Sequence, residues 1–112
     1  MKIIRIGNKD YEIHYGQNAL CAIEDAADMT ILDFGARFAS TTFRFGDARI
    51  LVWAGMLAKR RSITLEEVGD LLDDGRENAG EAIAACITEL TASFRRIVGN
   101  TADEDEGSSK NE

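Results

Sequence analysis

Residues 50–57 read ILVWAGML, without one charged side chain. A helix with no polar face must be covered on every side, by its own fold or by another protein. This segment therefore needs cover all round, from the rest of the chain or from a partner. Asp47, three residues upstream, is a candidate N-cap. Lys59, Arg60 and Arg61 follow, where cations complement the negative end of the helix dipole. The spacing predicts a helix from Asp47 to about Lys59, with Gly55 admitting a neighbouring helix closely.

SITLEEVGDLLDD comes next. Thr64 and Glu67 have the spacing of a capping box, each side chain serving the other's backbone amide. Ile63, ahead of the cap, can staple onto Val68. Val68, Leu71 and Leu72 then share one side. Residues 53–74 thus predict helix, basic turn, helix.

Two strands precede this unit. In YEIHY, Tyr11, Ile13 and Tyr15 alternate with Glu12 and His14, the period of a half-buried strand. Ile4 and Ile6 share a face in the preceding segment, and Gly7-Asn8 suits a tight turn. A hairpin of residues 2–6 and 10–15 is expected. Two strands alone are barely stable in water, so it must lie on helices or on another chain. Leu20, Ile23 and Ala27 predict a helix over 17–28. Thr30 caps a further helix with Ile31, Phe34 and Phe38 on its apolar side, which Gly35 weakens by up to ~1 kcal/mol relative to alanine. The longest helix is expected over 77–98, with Ile83, Ile87, Leu90, Phe94 and Ile97 as its apolar stripe and Gly99 as its stop. NTADEDEGSSKNE has no apolar pattern and predicts a disordered acidic tail. The fold class is mainly α: an N-terminal β-hairpin and a compact bundle of about five helices over residues 1–98, then the tail over 99–112.

At 112 residues and 45% apolar content, one domain with a real core is expected. No run approaches the ~18 apolar residues that span a bilayer. MKIIRIGNKDYE turns polar after six residues, which argues against a signal peptide and for the cytosol. The net charge is −7, of which residues 99–112 carry −4 and the body −3. Such a balance repels phosphate backbones, so nucleic acid is a poor partner. Cys21 and Cys86 lack metal-type spacing and are expected reduced and buried. His14, the sole histidine, excludes a multi-histidine metal site.

Candidate chemistry is thin. Asp70, Asp74, Gly75 and Glu81 fall at four positions of a calcium-loop pattern, but Leu72 occupies a ligand position and cannot bind calcium. Asp73 and Asp74 have no legible partner base, and a helix terminus explains them. Neither cysteine has a histidine near it in sequence. Lys59–Arg61 reads either as a solvated turn or as a contact for an acidic segment, the chain's own tail included. No catalytic residue, cofactor or metal is expected.

One resemblance concerns the order of parts. The hairpin MKIIRIGNKDYEIHYG, then ALCAIEDA, then WAGMLAKRRSITLEEVGDLLDD, a long helix and a polar tail together resemble the tail assembly chaperones of long-tailed, siphovirus-like bacteriophages and prophages. It spans residues 1–98 as a pattern of architecture. The resemblance implies a non-enzymatic protein-binding role in the host cytoplasm: coating the aggregation-prone tape measure protein until tail tube subunits polymerise round it. Absence from the mature virion follows from it. It also implies a frameshifted longer product, for which Ser109, Lys110 and Asn111 permit a slippery codon run. Trp53, Met56, Leu57, Val68, Leu71 and Leu72 are the expected partner-binding residues. A tail tube subunit and a second copy of the chain are further candidate partners. The alternatives are a structural tail or connector protein of the virion, and a small protein-binding regulator. A small hydrolase ranks behind them, since no nucleophile–base pair is legible.

Overall fold

A computed structural model describes residues 2–99, without the side chains of residues 98 and 99. The expected acidic tail therefore lies outside the described residues, Gly99 apart. KIIRI and KDYEI pair antiparallel as β1 (Lys2–Ile6) and β2 (Lys9–Ile13), in the register Lys2↔Ile13 to Ile6↔Lys9. Gly7, at φ 66°, makes the turn a side chain would strain. Ile4, Ile6, Tyr11 and Ile13 face inward and are buried. Outside, Arg5 and Asp10 form an exposed ion pair at 2.8 Å.

β2 was expected to reach Tyr15 and stops two residues earlier. At His14 the backbone leaves β1 and its N–H donates to the Gly55 carbonyl at 2.9 Å. Tyr15 can then enter the core, where its hydroxyl donates to the Leu51 carbonyl at 2.6 Å. Gly55 serves this arrangement rather than a second helix: a Cβ there would lie 2.7 Å from Tyr15 Oη and 3.1 Å from Ile13 Cβ.

Helix α1 (Gln17–Ala27) buries Ala19, Leu20, Ile23 and Ala27 and ends on Asp28 in the left-handed region. Cys21 points outward and is exposed, against the expectation of two buried thiols; both cysteines are free. Helix α2 (Ile31–Ala39) starts as expected, with the Thr30 hydroxyl accepting from the Asp33 N–H at 3.1 Å. Phe34 and Phe38 are buried and meet edge to face, with ring centres 5.1 Å apart.

Helix α3 (Phe45–Met56) begins two residues before Asp47 and is capped differently from expectation. Arg44 is the N-cap. Asp47, inside the first turn, reaches back to accept from the Arg44 N–H at 2.9 Å. Its other bonds come from the Arg44 guanidinium at 2.8 and 3.2 Å, with Arg37 at 3.4 Å. A carboxylate with no solvent exposure needs such donors. The helix also ends three residues short of Lys59. The Trp53 indole N–H donates to the Ile63 carbonyl at 2.9 Å and folds the basic turn back. Lys59 pairs with Glu12 at 3.4 Å, and Arg60 lies 5.2 Å over the Tyr11 ring.

Helix α4 (Leu65–Asp74) carries the expected capping box, with Glu67 N–H to Thr64 Oγ1 at 3.1 Å and Thr64 N–H to Glu67 Oε1 at 2.8 Å. Gly75 ends it and opens α5 (Arg76–Phe94). A Cβ at Gly75 would collide with the Gly7 backbone nitrogen, so the hairpin turn touches this corner backbone to backbone. Asn78 leaves helical geometry, at φ −130° and ψ 16°, to clamp the same turn. Its Oδ1 accepts from the Gly7 N–H at 2.8 Å and its Nδ2 donates to the Gly7 carbonyl at 2.9 Å.

The expected stripe of α5 holds at Leu90 and is otherwise replaced by smaller side chains. Ala82, Cys86, Leu90 and Ser93 are buried, whereas Ile83 and Ile87 are half-buried. Helix α5 packs on β1 and α3. Small side chains let it come close, and the larger ones flank the contact. After Phe94 the chain widens into a π turn, Arg95–Gly99, so the α-helix ends before the expected Val98.

Candidate functional site

The six residues expected to bind a partner do not form one surface. Met56 and Val68 are fully enclosed, at 0% exposure. They hold the α3–α4 core, and no docked protein can reach them in this state. Trp53, Leu57, Leu71 and Leu72 are half-buried and diverge. Trp53 is tied to the basic turn through its indole N–H. Leu57 lines a cleft with His14, Gln17 and Arg61. Leu71 faces Lys9, Tyr11 and Arg60, and Leu72 faces Phe45, Arg49 and Ile83. The capping box that makes this segment so legible serves the fold itself.

An apolar opening lies elsewhere, between α2 and α5. Ile31, Leu32, Gly35, Ala36 and Ala39 form one wall, and Leu90, Thr91 and Phe94 form the other, round about 260 Å³. Leu32 is 66% exposed. It sits off the Ile31–Phe34–Phe38 side of α2, where a surface helix normally carries polar residues. That misplaced leucine was the available sequence signal. Among the described residues, no atom beyond its chain neighbours and its own helix backbone lies within 4 Å of the position a Cβ would take on Gly35, so the groove wall is open there. Ile97, 37% exposed in the π turn, adds apolar surface beyond Phe94 on the same helix end.

The polar interior offers little chemistry. The Arg44 guanidinium beside Asp47 holds its carboxyl below the usual carboxylate range. That group is already saturated with donors and serves as a cap. Burial pushes the Cys86 thiol up to about 11 and the Tyr15 hydroxyl well above its ordinary value. A thiol held protonated at neutral pH is a poor nucleophile. Among the described residues, no group of three or more His, Cys, Asp or Glu is placed to hold a metal ion. None of the described helices is long and apolar enough to cross a membrane.

Comparison with known protein families, curated proteins and solved structures finds no match to this chain.

Proposed function

We propose that the chain is a tail assembly chaperone of the siphovirus-like type, a binding protein rather than an enzyme, whose client is an apolar helix of the tape measure protein. Tail tube subunits are the second candidate client. The host cytoplasm is the proposed site of action, and the finished virion is expected to lack it. One observation carries the reading: the α2–α5 groove, apolar on both walls and open over Gly35. An amphipathic helix laid in such a groove buries its apolar side. Each large side chain removed from water contributes about 1.5–3 kcal/mol before ordering costs. The net charge of −7 favours solubility of the coated complex. The order of hairpin, apolar helix, capped helix and long helix supports the same reading by resemblance.

Co-expression with tape measure segments tests it. The segments should remain soluble with the chain and precipitate without it. Leu32→Glu puts a charge on the groove wall at an exposed position, so folding should survive while the client precipitates. Segments that precipitate equally with and without the chain refute the proposal. Mass spectrometry of purified particles separates the structural alternative, since a tail or connector subunit stays in the virion.

A further inference from the structure

A second groove runs between the first turns of α3, the exposed side of α4 and the start of α5, enclosing about 810 Å³. Three observations set it apart. Phe45, at its mouth, is 96% exposed, an extreme for so large an apolar side chain. Glu66, Asp70 and Asp73, spaced four and three along α4, stand in a row on its wall, all exposed. Among the described residues, none of these three carboxylates is in an ion pair. Finally, the stem of Arg49 crosses Gly69, with Cδ 3.4 Å from where a Cβ would stand. Among the described residues, its Nε is shut off from water with no acceptor. A buried donor without a partner is costly.

We propose that this groove docks a basic amphipathic helix of a protein partner. The occupant's apolar side rests on Phe45, Leu72 and Ile83. Its Lys and Arg side chains meet the Glu66–Asp70–Asp73 row. Charge decides among occupants. The chain's own acidic run at residues 103–106 carries the sign of the wall and is repelled, as is nucleic acid. A basic helix is drawn in, and complementary charge governs its selection and encounter rate. The site is distinct from the α2–α5 groove and stands whether or not that groove holds a client.

The full chain is titrated by fluorescence anisotropy with two labelled helical peptides. Both carry the same Leu/Ile face, one flanked by Lys and Arg, the other by Glu and Asp. The basic peptide should bind at least ~10-fold tighter, and its affinity should fall as salt rises. Phe45→Ala should weaken it ~10-fold, as loss of an aromatic anchor does. The triple reversal E66K/D70K/D73K should transfer preference to the acidic peptide. All four positions are exposed, so unchanged circular dichroism melts verify the fold. Leu32→Glu should leave the basic peptide's affinity unchanged, which separates this site from the proposed client groove. Equal binding of both peptides overturns the proposal, as does indifference to Phe45→Ala and to the reversal. Sedimentation showing self-association abolished by Phe45→Ala, with no peptide bound, also overturns it and assigns the groove to a second copy.

Discussion

The corner where the hairpin turn meets the α4–α5 junction and helix α2 are built on opposite terms. At the corner, Gly7 and Gly75 touch through bare backbone, and Asn78 matches the Gly7 peptide with one donor and one acceptor. Helix α2 is anchored on one side by Phe34 and Phe38, while its other side presents Leu32 and the open position over Gly35. Glycine matters in both regions, at Gly75 in the corner and at Gly35 on α2. One glycine fills a place that nothing larger fits, and the other leaves a place that something larger could occupy. Close packing is concentrated where the fold closes on itself, and exposed apolar surface on the outer side of α2.

Substitutions can break or sharpen this contrast. The largest effect is expected at the corner. Gly75→Ala would drive a methyl into the Gly7 backbone, which cannot rotate aside as a side chain does, at a cost of ~3 kcal/mol. Urea denaturation should show the fall in midpoint. Gly55→Ala, against the Tyr15 ring, should approach the same loss. Next comes Asn78→Ala. It removes the bonds at 2.8 and 2.9 Å and leaves two part-buried Gly7 backbone groups unpaired, for about 1–3 kcal/mol by the same measurement.

Asp47→Asn should cost about 1 kcal/mol, the difference between hydrogen bonds to a charged acceptor and to a neutral one. It also has a pH signature. The folded-state pKa of Asp47 lies below its ordinary 3.8. Its contribution is therefore complete above that ordinary value and is lost as pH falls through the lower folded one. The wild-type chain should lose stability in acid more steeply than the Asn variant, measured as melting temperature against pH.

The smallest effect has the opposite sign. Gly35→Ala meets no side chain or neighbouring element within 4 Å among the described residues and improves helix propensity, so α2 should gain about 0.5–1 kcal/mol. The same methyl intrudes on the groove wall and should weaken client capture. A variant more stable yet less able to hold tape measure segments would show that the opening on α2 serves binding. Capture unchanged by that methyl would turn attention to another surface.

Local chemistry determined much of this protein within the chain itself. Alternation in YEIHY, the Thr30 cap, the Thr64–Glu67 box and the all-apolar run at 50–57 each act over a few neighbours, so hairpin and helices were legible from them. Asp47 and the α5 stripe were not. Asp47 was legible as a capping residue but not as the third residue of a helix, because the Arg44 backbone and two arginines from different elements complete its shell. The large aliphatics of α5 carry the periodic signal, but of them only Leu90 is buried, beside the small Ala82, Cys86 and Ser93, which leave no such signal. Tertiary structure alone also scattered Trp53, Leu57, Leu71 and Leu72 into different clefts, enclosed Met56 and Val68, and brought Leu32 opposite Phe94. Apolarity is a property of a residue, whereas exposure depends on what the rest of the chain places beside it.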